Sequence, residues 1–334
     1  MCRYEHFVRC LESLKKNKWS IYTDVYIGLD YPSDERYMDG YRKISDYLDN
    51  DDFSAFASFT VFRREVNYGT GKNMRKLREA VEDKYPYFIR TDDDAEFSVN
   101  FLEYINKTLW YFKDDKDAIG VTGYSYPIEW NLKKDSNVFK MNYLCPMWGT
   151  AFYFEKFNKL NRIILNNYYE NNTERIVEKK IYKNLSVARY VDFAFEALAD
   201  GDSLVKNTSD VGFGTIMSLV DDDWFIASPK LSKVRNHGFD GTGEYCQDVS
   251  KIERDGISAL NYDYSKQPID ESEQFDIVVD DTKDYSINRI LLDKFDSRDD
   301  RVVKKAKFHI FIFAILGRKK YNCLVRLKRR IKGE

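Results

Sequence analysis

The chain has 334 residues, 43% of them hydrophobic and 16% aromatic, which excludes a disordered polar chain and leaves material for one large or two modest domains. Its net charge of −2 sets up no global field for nucleic acid. The cysteines Cys2, Cys10, Cys145, Cys246 and Cys323 are odd in number and lack CxxC spacing, and no run of about 18 apolar residues occurs, so a cytoplasmic chain that neither is exported nor spans a bilayer is expected.

Phe7, Cys10, Leu11 and Leu14 recur at three- and four-residue spacing, predicting a helix over 6–15. Val25 to Leu29 reads as a short buried strand, closed by turn chemistry at Asp30-Tyr31-Pro32-Ser33, which leaves Asp30 at the strand's C-terminal end. Tyr37, Met38, Tyr41, Ile44 and Leu48 predict a second helix, and Ala57 to Phe62 a second strand. A polar, glycine-bearing loop from Arg63 to Lys72 leads into a helix marked by Met74, Leu77 and Val81, which ends before Pro86. Tyr87 to Arg90 is the next strand. Asp92-Asp93-Asp94 follow it, and Ser98 is expected to cap a helix with Phe101, Leu102, Ile105, Leu109 and Phe112 on its apolar face. Ala118 to Gly123 is a further strand.

This alternation predicts an α/β fold with a mostly parallel sheet covered by helices on both faces, whose ligands bind at strand C-termini. Residues 1–125 are read as one half of the domain and 126–265 as its acceptor-side half. An acidic linker region is expected over 266–300, with Asp270 to Asp284 a solvated loop, and a basic tail over 301–334.

Three aspartates in a row can hold a divalent ion, which neutralises a diphosphate leaving group without needing a proton. The chain is rich in aspartate, and Asp49 to Asp52 and Asp221 to Asp223 also hold three each. Asp92 to Asp94 stand apart because they directly follow an apolar strand, where an α/β sheet places its ligands.

Four ordered segments carry a resemblance: Arg64 to Asn73, Tyr87 to Asp94 with Phe101 to Ile105, Cys145 to Tyr153, and Asn236 to Gly243. Together they resemble GT-A glycosyltransferases, in particular bacterial family-2-like enzymes and the N-acetylglucosaminyltransferase type that initiates complex N-glycans. The resemblance implies a GT-A, Rossmann-like sheet whose first half binds a nucleotide sugar. His237 stands where the family usually has an apolar residue, and Asp92 where many members have Glu. Carried over by position, Arg3, Arg64, Asp92 and Asp93 would contact the donor, Asp30 would accept from the base, and Asp92 and Asp94 would hold Mn²⁺ or Mg²⁺. Gly69 and Gly71 permit close backbone approach and Lys72 offers a charge to phosphate, although a merely flexible loop reads the same way. Trp148 is either a sugar platform or a core residue, and Gly149 beside it would admit the ligand. His237 is either a phosphate or metal contact or a structural histidine. Asp210 is the candidate general base for an inverting transfer, with Asp192 and Glu196 as runners-up and helix capping as the alternative role.

Residues 301 to 334 hold twelve Lys or Arg and only Glu334 as an acid, around the apolar run Phe308 to Leu316. That composition suits an interfacial helix on an anionic membrane, with a helix packed on the catalytic domain as the alternative. The expectation is transfer of a sugar from a nucleotide-diphosphate donor to a hydroxyl of a polysaccharide or lipid-linked glycan, on the inner face of the cell membrane and without nucleic acid as partner. A non-catalytic GT-A-like scaffold of a polysaccharide assembly complex and a nucleotidyltransferase are the alternatives. The latter would place a glycine-rich loop right after the first strand, where none stands. The resembling enzymes have an apolar strand just before the segment matching Cys2-Arg3-Tyr4, so a truncated first strand and a natural start upstream of Met1 are expected.

Overall fold

The computed structural model describes residues 3–165, 217, 223–243, 262–282, 286–295 and 300–332. It is an α/β protein in which helices flank a sheet. The chain opens with α1 (Tyr4–Lys15), β1 (Asp24–Leu29), α2 (Met38–Asn50) and β2 (Ser58–Arg63). Phe7 and Leu11 of α1, Leu29 of β1 and Ile44 and Leu48 of α2 form one apolar cluster, the side chains that the three- and four-residue spacing selected. β1 and β2 pair in parallel as a two-stranded sheet of their own.

Next come α3 (Gly69–Glu79), β3 (Tyr87–Arg90), β4 (Ala95–Phe97), α4 (Phe101–Phe112) and β5 (Ala118–Thr122). They are followed by β6 (Val138–Met141), β7 (Thr150–Tyr153), α5 (Phe154–Leu165), β8 (Phe225–Pro229), β9 (Val234–Asn236) and β10 (Val279–Asp280). Among the described residues the main sheet has six strands in the order β10-β6-β8-β5-β7-β3. It is mixed rather than mostly parallel: β5 and β8 run parallel, as do β10 and β6, while β7 is antiparallel to both β3 and β5. The crossover through α4 does make β3 and β5 parallel to each other, and β7 then inserts between them. β4 pairs antiparallel with β9 in a separate two-stranded ribbon.

The largest core lies under α4, where Phe101, Leu102, Ile105, Leu109 and Phe112 pack with Val121, Ala151, Phe225 and Ala227 of the sheet. Burying each large side chain of this kind contributes about 1.5–3 kcal/mol. Tyr104, fully buried in the same layer, keeps its hydroxyl satisfied by donating to the Thr122 carbonyl at 2.9 Å. Ser98 does not cap this helix: its hydroxyl donates to Asn100 Oδ1, and the Leu102 N–H is taken instead by Asn17 Oδ1 at 3.0 Å.

The stretch expected as an acidic linker is woven into the domain. β10 extends the main sheet beside β6, Phe275 packs edge-on against Tyr104 with ring centroids 5.0 Å apart, and Asp270 forms an ion pair with the buried Lys233. Two of its carboxylates, Asp270 and Asp280, are used internally, while Glu271, Glu273, Asp276 and Asp281 stay exposed, as a solvated loop requires. Asp280, for example, accepts from the Lys133 N–H at 2.8 Å.

The chain ends in α6 (Ser286–Phe295) and α7 (Asp300–Lys332). Gly317, with φ 67° and ψ 166°, breaks α7 into two arms. The arms fold back on each other: His309 Nδ1 hydrogen-bonds the Tyr321 hydroxyl at 2.6 Å, and the Phe313 and Tyr321 rings meet at 5.4 Å. Among the described residues no helix is long and apolar enough to cross a membrane.

Candidate functional site

The C-terminal end of β3 delivers Asp92, Asp93 and Asp94 to a point where distant parts of the chain meet. Arg3, just before α1, donates through Nη2 to Asp93 Oδ1 and Asp94 Oδ2, each at 2.9 Å. The β4–β9 ribbon aligns Ala95 with Asn236, so the glycine-bearing segment after β9 folds over the aspartates. The His237 N–H donates to the Asp94 carbonyl at 2.8 Å, Asn236 Nδ2 to Asp94 Oδ1 at 3.3 Å, and the Gly238 N–H to Asn236 Oδ1 at 2.7 Å. A Cβ on Gly238 would collide with the Asp94 carboxylate, and one on Gly243 would lie 3.5 Å from Arg3 Nη1. A side chain at 238 would therefore displace the Asp94 carboxylate from its place against Arg3.

Electrostatics follow from this crowding. Burial pushes the Asp94 carboxyl above the usual carboxylate range, with Asp93 reinforcing the shift and Arg3 opposing it. For Arg3 burial works against the cation, but Asp93 and Asp94 outweigh it and hold the guanidinium above its ordinary value. Asp92 is aimed elsewhere: Arg90 Nη2 meets its Oδ1 at 3.1 Å. Arg90 Nη1 reaches the Met147 carbonyl at 3.5 Å, linking the aspartates to the Trp148 loop.

A second layer surrounds this pair. His6 Nε2 lies 3.0 Å from the His237 carbonyl and 3.1 Å from Asp240 Oδ2. His237 Nε2 lies 2.6 Å from Glu96 Oε2, which also meets Arg235 Nη1 at 3.2 Å. The His237 contact, with help from Arg235 and against burial, keeps the Glu96 carboxyl below its ordinary range.

Asp30, Arg64 and the Gly69 loop form a separate group at the end of β1. Asp30 Oδ1 accepts from the Tyr68 N–H at 2.8 Å. Arg64 Nε donates to Asn73 Oδ1 at 2.9 Å, and Asn73 Nδ2 donates back to the Gly28 carbonyl at 2.7 Å. The expected loop is shorter than predicted, because Gly69, at φ 70°, already begins α3 and places Gly71 and Lys72 in its first turn. A Cβ on Gly69 or Gly71 would meet nothing within 4 Å, and Lys72 Nζ sits 3.9 Å above the Tyr68 ring.

Trp148 is half-buried in an aromatic nest, edge-on to Tyr124 at 4.7 Å, Phe239 at 5.6 Å and Tyr264 at 5.7 Å. Phe239 belongs to the segment that covers the aspartates, so the nest and the cluster adjoin. Gly149 is fixed by packing: at φ 62°, its missing Cβ would lie 2.8 to 3.0 Å from Val234, Phe101 and Phe97. Those side chains occupy the space expected to admit a ligand. Asp210, Asp192 and Glu196 lie outside the described residues.

Two buried guanidinium nitrogens find no hydrogen-bond partner among the described residues, Arg3 Nη1 and Arg64 Nη2. Both belong to residues named from the sequence for donor contact. Buried donors of this kind call for an acceptor. For a divalent cation, no three His, Cys, Asp or Glu side chains group as ligands among the described residues. The donor set fits only the mode in which one or two carboxylates hold Mn²⁺ or Mg²⁺ and substrate phosphates complete the shell. Asp94 and Asp92, the pair named from the sequence for the metal, face different partners here, Arg3 and Asn236 for Asp94 and Arg90 for Asp92.

His6, Asn73, Arg90, Glu96 and Asp240 were not singled out from the sequence. Only the local pattern of Arg90 beside the aspartates could have indicated a role; the other contacts join residues far apart in the chain. Compared with protein-family models the chain matches none, and no curated protein matches it.

Proposed function

We propose that the protein is a GT-A-type glycosyltransferase that moves a sugar from a nucleotide-diphosphate donor to a hydroxyl of a polysaccharide or lipid-linked glycan, with inversion, at the inner face of the cell membrane. One observation carries the reading: a buried guanidinium nitrogen of Arg3 without a hydrogen-bond partner among the described residues stands beside a carboxylate cluster at a strand end, under Gly238, whose position leaves no room for a side chain. That combination suits a diphosphate, whose oxygens take the guanidinium donors. A divalent ion held by Asp94 and Asp92 would neutralise charge on the departing diphosphate. Arg3 would stabilise the same charge directly, and Arg64 and the first turn of α3 would meet the nucleotide side. The acceptor hydroxyl oxygen attacks the anomeric carbon as a carboxylate takes its proton, the role proposed for Asp210.

Titration with UDP, with and without Mn²⁺, tests the reading. Binding is expected to need the metal, and Asp94→Ala should lose it while melting as a folded protein, because a carboxylate ligand has gone. UDP affinity that is the same with and without Mn²⁺, or unchanged in Asp94→Ala, would refute it.

A further inference from the structure

α7 buries one apolar face, with Phe313 of the first arm against Tyr321 of the second, and leaves another face outside. On the first arm Ala306, Ile310 and Phe313, at i, i+4 and i+7, are buried. Phe308, Phe311 and Ile315, at i, i+3 and i+7 on the opposite side, are 61%, 60% and 64% exposed. The second arm repeats the arrangement, with Tyr321 buried and Leu324 and Leu327 exposed. A helix packed only against its own protein needs a single apolar stripe. This hairpin has an inner buried stripe and an outer one that nothing among the described residues covers.

The charges around the outer stripe say what covers it. From Arg301 to Lys332 there are twelve Lys or Arg and no Asp or Glu. Lys304, Lys305, Lys307, Lys319 and Lys320 are all exposed. A second copy would bring one all-cationic surface against another, which like-charge repulsion disfavours. Nucleic acid would take the cations but leave bulky apolar side chains without a role, since its affinity comes from phosphate contacts. An anionic bilayer takes both, the cations at its phosphates and carboxylates and the apolar side chains at the acyl boundary. The lengths agree with lying in the plane: at about 1.5 Å per residue neither arm reaches the roughly 30 Å of a hydrocarbon core.

We propose that α7 is a two-armed interfacial anchor, a helical hairpin lying flat on an anionic lipid bilayer with Phe308, Phe311, Ile315, Leu324 and Leu327 dipping below the headgroups. The proposal deepens the membrane part of the reading above and does not depend on the transfer chemistry. If UDP fails to bind while vesicles do, the enzyme reading falls and the anchor stands.

The test is flotation of the full chain with vesicles of phosphatidylcholine alone and of phosphatidylcholine with about one-third phosphatidylserine. Binding is expected only to the anionic vesicles and should weaken with added salt. The triple variant Phe308→Ser, Phe311→Ser, Ile315→Ser should bind at least about tenfold more weakly, as should a variant with Lys304, Lys305, Lys319 and Lys320 each changed to Gln. The lysine variant keeps every apolar side chain, so a folding defect in the first leaves the second to decide. Absence of binding to anionic vesicles would overturn the proposal. So would equal binding to phosphatidylcholine alone, or unchanged binding by both variants. Self-association or RNA binding without vesicle binding would assign the surface to a second copy or to nucleic acid instead.

Discussion

Gly238→Ala probes the one position where the late glycine segment and the aspartates are locked together. The new methyl would occupy the place of Asp94 Oδ2. Withdrawing the backbone at 238 would break the 2.7 Å bond from its N–H to Asn236 Oδ1, whereas the carboxylate is the free end of a side chain. The Asp94 carboxylate must therefore turn away, giving up its 2.9 Å contact with Arg3 and its 3.3 Å contact with Asn236. The Arg3 and Asp94 side chains retain 16% and 13% of their exposure. Their pairing thus lies between an exposed ion pair, worth about 0–1 kcal/mol, and a buried pair whose breaking costs about 3–5 kcal/mol. Arg3 keeps Asp93, so a loss of about 2–3 kcal/mol is expected, which lowers the melting temperature by roughly 3–5 °C in a domain of this size. Differential scanning calorimetry of the variant beside Gly243→Ala gives the comparison, since a Cβ at 243 meets its nearest atom, the Gly238 carbonyl oxygen, at 3.2 Å. A Gly238→Ala protein that melts with the wild type would show that the segment does not sit on the Arg3–Asp94 pair.

Gly71→Ala should raise the melting temperature, because the position is helical, open on all sides within 4 Å and not at positive φ, where alanine gains about 0.4–1 kcal/mol over glycine. The same variant should lose UDP affinity if phosphate approaches the first turn of α3, and a protein both more stable and equally avid would remove that turn from the site. Lys233→Met should cost about 3 kcal/mol in urea unfolding by leaving Asp270 half-buried without its cation, and adding Asp270→Asn should recover more than about 1 kcal/mol. Additive losses would show that the two charges do not support each other. Burial holds the Lys233 ammonium below its ordinary value. Between the lowered folded value and the ordinary lysine range the unfolded chain therefore binds more protons than the folded one, and this residue's contribution to stability should rise with pH across that window. Lys233→Met should lose that slope in a pH series of urea melts.

Sequence periodicity recovered the helices of the first half because each buries one stripe, and α1, α2 and α4 lie close to their predicted bounds. The six-stranded sheet was less legible. β7, only Thr150 to Tyr153, lies within the resembling segment Cys145 to Tyr153, where the sequence pattern predicts no strand, yet it supplies the antiparallel strand between β3 and β5. Four residues carry too little pattern to separate a strand from a loop, and β4, three residues long, carries less. The acidic stretch after 266 misled for a different reason. Charge density reads as solvent exposure, but Asp270 and Asp280 serve as acceptors for backbone N–H groups and for Lys233, so the chain spends carboxylates on closing its own turns.

The candidate site divides along the same line. Asp92 to Asp94 were visible because a strand end is where an α/β sheet offers its ligands, and a charge cluster there contrasts with the apolar run before it. Gly238 and Gly149 were visible as residues but not by role, since a glycine in sequence does not say what takes the space its side chain would fill. At 238 it is a carboxylate held by Arg3, and at 149 it is Phe97, Phe101 and Val234. The first tightens a charged site, and the second closes a core. Asp240 lies within the resembling segment Asn236 to Gly243, but its meeting with His6, across most of the chain, carries no sequence signal. Their meeting depends on the β4–β9 ribbon, which brings the late segment to the first helix. The ribbon is therefore the element on which the site's assembly turns: it pairs Ala95, next to Asp94, with Asn236, which in turn holds Gly238 in place. A substitution that broke it would separate Arg3 and the aspartates from the glycine segment without touching any of them.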